Sequence, residues 1–171
     1  MNDLGVLCLV VIATISSAMI CTEIDAQEIT PLHVAVAEND LSAVQRLLDQ
    51  GANLEARNND GITPLMIAAA VSSTPEIVQL LIDIGAKLEA RDNYGATALI
   101  FAVGFSSIPE IVKLLLDQDA ELEARNNVDS TPLMIGAQFS STPEVVQLLI
   151  DQGAELEARD SHGWTPLMIA A

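Results

Sequence analysis

Apolar and polar positions alternate along this chain in short blocks that return at a nearly fixed period. A block that opens on a threonine and continues into apolar residues recurs along the sequence. The threonines that open it are Thr30, Thr63, Thr97, Thr131 and Thr165, and the interval between them is about 34 residues throughout. A constant period between about 20 and 50 residues predicts a repeat architecture, in which each repeat is one supersecondary unit.

Each block predicts a pair of short helices, and the second block serves as the type. Thr63 before Pro64 is typical of an N-cap followed by proline at the first helical position, where a missing N–H costs nothing. Thr74 before Pro75 predicts a second helix that begins in the same way, and Gly85 ends it where positive φ is favoured. Helices of roughly 7–10 residues are too short to be stable alone. The pattern therefore predicts an all-α solenoid that is stabilised by stacking each repeat on the next.

The earliest block identifies the family that the chain resembles. Thr30-Pro31-Leu32-His33-Val34-Ala35 carries the T-P-L-H-x-A pattern typical of ankyrin repeats, and the resemblance extends over residues 28–171. It implies the ankyrin-repeat α-solenoid, with helix-turn-helix repeats joined by β-hairpin-like loops. The repeats would span about 28–58, 59–92, 93–126, 127–160 and, in part, 161–171. The resemblance also implies a binding scaffold without catalytic activity, and the style of the repeats is more typical of bacteria than of animals.

Two aspartates depart from the repeat pattern. Asp119 stands where the other repeats end their second helix with glycine, and Asp129 stands where most of them have glycine in the following turn. An aspartate held in the left-handed region costs about 1 kcal/mol relative to glycine. We therefore expect strained backbone at both positions, and the weakest interface of the solenoid at the junction of the third and fourth repeats.

Composition limits the classes of partner. The chain has 171 residues, which fits one solenoid domain, and a net charge of −17. So acidic a surface repels phosphate backbones and anionic lipid headgroups, so we expect no nucleic-acid partner. The acidity has two interpretations, namely simple solubility or an acidic docking surface.

Residues 1–26 predict a signal peptide or a membrane anchor. The stretch from Leu4 to Thr22 is uncharged and mostly apolar, and its length lies between that of a signal-peptide core and a minimal membrane span. Ala18 and Ala26 offer small residues at plausible cleavage points, whereas Asp3 replaces the positive charge expected before the apolar core. We expect export to the periplasm or the cell exterior. The alternative is a protein anchored in the membrane by residues 4–22.

The sequence stops at Ala171, inside the first helix of the fifth repeat. This would leave apolar surface of the fourth repeat partly uncovered. We expect either that the chain is the N-terminal fragment of a larger multi-repeat protein, or that another chain closes the open end.

Candidate chemistry is sparse. The two histidines, His33 and His162, are far apart in repeat order, whereas a zinc site needs three or four convergent ligands. We therefore predict no metal site, no cofactor, no small-molecule substrate and no catalytic residues. Acidic and basic residues also recur in every repeat, and we expect them to form alternating, self-neutralising charge ladders. These residues are Glu55, Glu89, Glu123 and Glu157 with Arg57, Arg91, Arg125 and Arg159.

The resemblance places partner contacts on a concave face made by the hairpin tips and the exposed ends of the first helices. Carried over position by position, the candidate partner-binding residues are Asn59, Asp60, Ile62, Val71, Asn93, Tyr94, Phe105, Val128, Ser130, Phe139, His162 and Trp164. Aromatic residues are enriched in interface hot spots, so Tyr94, Phe105, Phe139 and Trp164 are central to this hypothesis. Val71, Phe105 and Phe139 occupy equivalent positions and have an alternative role in packing between neighbouring repeats.

The first hypothesis is therefore a non-enzymatic module that binds a protein partner. The second is a membrane-tethered structural scaffold that retains residues 4–22 as its anchor.

Overall fold

A computed structural model describes residues 29–140 and 142–171. The predicted signal peptide or anchor lies outside the described residues. The helices of the described part are α1 (Pro31–Ala37), α2 (Leu41–Asp49), α3 (Pro64–Val71), α4 (Glu76–Asp83), α5 (Ala98–Phe105), α6 (Pro109–Asp117), α7 (Pro132–Phe139), α8 (Pro143–Asp151) and α9 (Pro166–Ala170).

The helices form two layers. The first helix of each repeat packs against the first helices of the neighbouring repeats, in the order α1, α3, α5, α7, α9. Each second helix packs against the first helix of its own repeat, and α2 also contacts α4 while α6 contacts α8. The apolar core runs without a break along this stack from Leu32 to Ala154. The predicted all-α solenoid of stacked helix pairs is confirmed.

The predicted threonine caps of the first helices are confirmed with one exception. The hydroxyls of Thr30, Thr63, Thr131 and Thr165 each accept the backbone N–H three residues later at 3.4 Å. Thr97 makes no such bond, and its buried hydroxyl has no hydrogen-bond partner. Its helix also begins with Ala98 instead of proline.

His33 has a structural role and links the first two repeats. Its Nδ1 accepts the Thr30 backbone N–H at 3.2 Å, and its Nε2 lies 3.1 Å from the Ile62 carbonyl oxygen in the next repeat. Because a carbonyl can only accept, Nε2 carries the proton and the ring is the neutral tautomer. Burial lowers the pKa of His33, which favours this neutral form.

The predicted threonine caps of the second helices are wrong. Helix α4 begins at Glu76 with Pro75 at its N-cap, and Thr142 precedes α8 without a side-chain cap bond. A serine turn occurs in the equivalent segment before α6. In this turn the Ser106 hydroxyl accepts the Ile108 N–H at 3.1 Å. The Thr74 hydroxyl donates a hydrogen bond to the Glu76 carboxylate, which lowers the pKa of Glu76.

The left-handed aspartates are confirmed. Asp119 has φ 64° and Asp129 has φ 59°, positive like the glycines at the equivalent positions, which are Gly85 at φ 95° for Asp119 and Gly95 at φ 77° for Asp129. Among the described residues other than glycine, Asn39, at φ 56°, is the third with a left-handed backbone, and the sequence did not predict it.

Candidate functional site

The candidate site is built on the hairpin tips that precede the first helices. Each tip is held by one asparagine or aspartate whose Oδ1 accepts the backbone N–H groups two and four residues later, as Asp92 does from Tyr94 at 2.9 Å and Ala96 at 2.7 Å. The equivalent residues are Asn58, Asp92, Asn126 and Asp160. This arrangement fixes the backbone of the two residues at the apex of every tip.

Neighbouring tips are hydrogen-bonded to one another. The backbone N–H of Asn93 donates to the Asp60 carbonyl at 2.9 Å, and that of Asn127 donates to the Tyr94 carbonyl at 2.9 Å. The Ser161 N–H donates to the Val128 carbonyl at 3.0 Å and continues the series. The four equivalent apex residues Asp60, Tyr94, Val128 and His162 therefore form one continuous row, which we call the tip row.

Side-chain amides reinforce these connections. Asn93 Nδ2 donates to the Asn59 carbonyl at 2.8 Å, and Asn127 Nδ2 donates to the Asn93 carbonyl at 3.0 Å. Of the candidate residues, Asn93 thus contributes to the scaffold as well as to the surface.

The expected alternating charge ladders are wrong in their pairing. The arginine and glutamate rows exist, but both rows bind mainly backbone groups. Arg57 Nη1 donates to the carbonyls of Gly61 at 3.1 Å and Arg91 at 2.6 Å, and Arg91 and Arg125 repeat this bridge. Glu55 accepts the Lys87 N–H at 2.8 Å, and Glu89 and Glu123 make the same bond. Each of these charged side chains therefore links two successive repeats.

The tip row carries three of the six exposed candidate residues. Tyr94 is 36% exposed and Val128 is 39% exposed, and both side chains are at tips that are joined by a backbone hydrogen bond. His162 is exposed, with Nδ1 3.7 Å from the Asp160 carboxylate, whereas Asp60 is half-buried. Asn59 and Asn93 are exposed beside the row.

Two candidate residues lie in the interior. Ile62 is 5% exposed and packs in the core, and Ser130 is 8% exposed. Trp164 occupies the equivalent position and is 52% exposed. Ile62 and Ser130 thus offer almost no surface, and the position-by-position transfer from the tips is wrong for them. The loop pattern in the sequence does not show which position of the tip turns inward.

The three equivalent residues at the ends of the first helices are half-buried. Val71, Phe105 and Phe139 all pack against the core while keeping part of their surface exposed. The ring of Phe105 also lies 6.1 Å from that of Phe101, at an interplanar angle of 53°. The packing role that the sequence left open is present at all three positions.

Burial also sets the electrostatics of the tips. Desolvation raises the pKa of Asp92, although the N–H groups of Ala96 and Tyr94 stabilise its charged form. Asp60 raises this pKa further and Arg57 lowers it. A charged Asp92 therefore costs folding free energy at neutral pH.

Within residues 29–140 and 142–171, no three His, Cys, Asp or Glu side chains converge to hold a metal ion. In the same part of the chain, no helix has the length and apolar character needed to cross a membrane.

The sequence analysis missed the asparagines and aspartates that hold the tips. Their signal is an Asn or Asp at 58, 92, 126 and 160, again at the period of the repeat.

Comparison with known proteins agrees with this geometry. Ankyrin repeats (three copies) match residues 32–126 and 106–171, which together cover most of the chain. A segment is also 54% identical over 39 residues to "Palmitoyltransferase ZDHHC13" of Mus musculus. That segment is 23% of this chain and 6% of the mouse protein, so the chain matches only a small part of that relative. From the family match and the stacked helix pairs, the chain belongs to the ankyrin repeat family.

Proposed function

We propose that the protein is a non-enzymatic module that binds a partner protein through the concave face of its hairpin tips and first helices. Ankyrin repeats are generally protein–protein interaction modules, and the matched residues cover the tips described above. The proposed contact residues are those of the tip row together with Asn59, Asn93 and Trp164, flanked by the partly exposed Val71, Phe105 and Phe139.

The observation that carries the proposal is the pairing of Tyr94 and Val128. These two residues present apolar surface to solvent at adjacent tips. A bound partner would remove that surface from water. The backbone bond from Asn127 to Tyr94 and the Oδ1 bonds of Asp92 and Asn126 hold both tips in fixed geometry. Rigid, exposed apolar side chains lower the entropic cost of binding, as expected for interface anchors.

The test is a cross-linked pull-down from the source cell that compares the wild type with Tyr94→Ser/Val128→Ser. Ile84→Ser is the matched control, because Ile84 is exposed to a similar extent, 43%, but lies at the end of α4. We expect the double variant to lose the partner while Ile84→Ser retains it. Retention of the same partner by a folded double variant would contradict the proposed surface.

We further propose that the protein is exported to the periplasm or the cell exterior, with residues 1–26 as the signal. The support is the uncharged, mostly apolar stretch from Leu4 to Thr22. Loss of roughly 20 residues from the mature chain, measured by intact mass, supports export with cleavage. Recovery of the full-length chain from the membrane fraction would favour the alternative, a membrane-tethered scaffold.

A further inference from the structure

The second helices present a surface that the proposed function does not use. Along α4, Glu76, Leu80 and Asp83 lie on one helical face at spacings of four and three residues. The same order of an acid, a leucine and an acid occurs on α6 and α8. Helix α2 keeps only the last acid, because Ser42 and Arg46 stand at the first two positions.

Stacking aligns these residues into three rows that cross the helices. The middle row consists of Leu80, Leu114 and Leu148, which are half-buried and contact the core. One flanking row consists of the exposed acids Glu76, Glu110 and Glu144. The other flanking row consists of the exposed acids Asp49, Asp83, Asp117 and Asp151. We call this surface the outer furrow.

The outer furrow is a physical depression. An open groove of about 1060 Å³ crosses α2, α4 and α6, with Leu80 and Leu114 among its lining residues. A smaller groove of about 330 Å³ continues from α6 to α8 past Leu148. Both grooves include Glu110 and Lys113, so they adjoin each other at α6.

The furrow is strongly acidic. The carboxylates of both flanking rows line the two grooves. The basic side chains among the lining residues are Arg46 and Lys113. Lys113 already pairs with Asp117 at 2.5 Å. Gln45, Gln79 and Gln147 donate to the aspartate one turn later on their own helices, but they leave its charge in place.

The spacing of the rows fits a helix. Packed helices lie about 10 Å apart, so Leu114 and Leu148 on the contacting helices α6 and α8 should be about 10 Å apart, and the repeat period predicts a similar interval between Leu80 and Leu114. Two turns of an α-helix rise about 10.8 Å, which places residues i and i+7 on one face at the same interval. An extended segment covers about 10 Å in three residues, and an odd number of residues turns successive side chains to opposite faces. A helix therefore matches the leucines and a strand does not.

The width of the furrow also fits an α-helix. Glutamate and aspartate of one helix are seven residues apart, or about 10.5 Å along the axis. A helix of about 10–12 Å diameter can lie between the two acidic rows and place basic side chains on each of them.

From this geometry we propose that the outer furrow binds a basic amphipathic helix of another protein. The helix carries an apolar residue at every seventh position and Lys or Arg on both flanks of that stripe. The occupant is not a second copy of this chain. The sequence has only seven Lys and Arg residues, with at most two in any repeat, and none lies within residues 1–28.

The test uses synthetic peptides and the full chain. One peptide has leucine at every seventh position, flanked by lysines, and is made longer than the shortest helices that form alone in water. The other has the same length and composition, with the leucines moved around the helix. Fluorescence anisotropy measures binding of each peptide at low and high salt. We expect the patterned peptide to bind at least about tenfold more tightly, with binding weakened by salt.

Variants of the chain locate the site. Leu80→Ser/Leu114→Ser should weaken binding of the patterned peptide at least about tenfold. Glu76→Gln/Asp83→Asn/Glu110→Gln should reduce both the affinity and its salt dependence. Glu76, Asp83 and Glu110 are exposed, so their substitution should leave the fold intact. The charge variant therefore tests the site even if the leucine variant does not fold. Tyr94→Ser/Val128→Ser should bind the peptide as the wild type does.

Three results would overturn the proposal. The first is that the patterned peptide does not bind, or that both peptides bind equally; equal binding would mean that charge attraction alone holds them. The second is unchanged affinity of the folded charge variant. The third is equal loss in the tip-row variant, which would place the peptide on the tips and not in the furrow.

Discussion

At the scale of single residues, a departure from the repeat pattern in one repeat is matched by a departure in the next repeat, at Asp129 and Ser161. A Cβ added to Gly95 would lie 2.5 Å from Asn127 Oδ1, and one added to Gly61 would lie 2.7 Å from Asn93 Oδ1. These glycines therefore leave the space that the asparagine of the next repeat occupies. Asp129 replaces this glycine once, and there the next repeat has Ser161 in place of the asparagine. From this correspondence we infer that the shorter serine leaves room for the Cβ of Asp129.

Asp129 and Ser161 should therefore be coupled energetically. Ser161→Asn alone is expected to lower stability, because the larger side chain meets the Asp129 Cβ. In the Asp129→Gly background the same substitution should be neutral or stabilising, since the amide can donate to the Asn127 carbonyl as its counterparts do. Urea unfolding of the four chains should give a coupling of about 1 kcal/mol. Additive effects would mean that the two replacements are independent.

Asp119→Gly should stabilise the protein. Asp119 has φ 64°, and glycine at the equivalent positions meets no atom within 4 Å of an added Cβ, so relief of strain is the main effect. We expect a gain of about 1 kcal/mol, which raises the melting temperature by about 2–4 °C. Asp119→Ala is the control, because it removes the charge but keeps a Cβ in the left-handed region. An equal rise in both variants would point to charge and not to backbone strain.

Asp92→Asn should stabilise the protein at neutral pH. Burial raises the pKa of Asp92 above the usual 3.8, so the folded state binds this proton more tightly than the unfolded state does. The cost of the charge is therefore present at neutral pH and disappears as the pH falls below the pKa of the unfolded carboxyl. Asparagine keeps the Oδ1 acceptor, as Asn58 and Asn126 show.

The measurement is the urea midpoint of Asp92→Asn against the wild type at about pH 7 and about pH 3. The variant should be the more stable at the higher pH and equal at the lower. Asp151→Asn removes the same charge from the exposed end of α8 and controls for net charge. A stability difference that persisted at low pH would refute the assignment of the cost to ionised Asp92.

At the scale of elements, the period and the first helices could be predicted from the sequence, but the joint between the helices could not. Proline at 64, 132 and 166 identifies the start of a first helix because ring geometry and capping act within one turn. Thr74 and Thr142 satisfy the same local rule and yet do not cap. Before α8 the Ser140 hydroxyl accepts the Thr142 N–H instead, and the local Thr-Pro pattern does not report that competing bond.

The serine turns offer a test of this joint. Ser106 and Ser72 are equivalent and both buried, but the Ser106 hydroxyl accepts the Ile108 N–H whereas the Ser72 hydroxyl has no partner. Ser106→Ala should cost about 1 kcal/mol, because it leaves a backbone N–H without its acceptor. Ser72→Ala should be neutral or stabilising for lack of a bond to lose. Equal costs in urea unfolding would contradict the proposed role of the Ser106 turn.

At the scale of the whole molecule, the sequence predicted the rows of arginine and glutamate that link the repeats. It did not predict the backbone groups to which these side chains are hydrogen-bonded. The repeat period placed Arg57 and Arg91 in one row. That each arginine donates to the carbonyl of the next depends on the distance between stacked repeats, which no single repeat contains. The inward turn of Ile62 escaped prediction for the same reason. Its carbonyl bonds His33 of the preceding repeat.

The long-range bonds also decide what the tip row can do. Each tip is bonded to its neighbours by backbone groups, so Tyr94 and Val128 are displayed on a shared and ordered support. Binding there need not order a flexible loop first, which preserves affinity. The protein-binding role of this row is the central claim.

The most direct test is site-specific photo-cross-linking in the source cell, with a photoreactive phenylalanine derivative at Tyr94 in one chain and at Glu121 in another. Glu121 is exposed at the opposite end of its loop, after α6, and is outside both the tip row and the outer furrow. We predict a discrete protein adduct from position 94 that is absent from position 121. Adducts of the same protein in equal yield from both positions, or none from position 94, would contradict the claim that the tip row is the binding site.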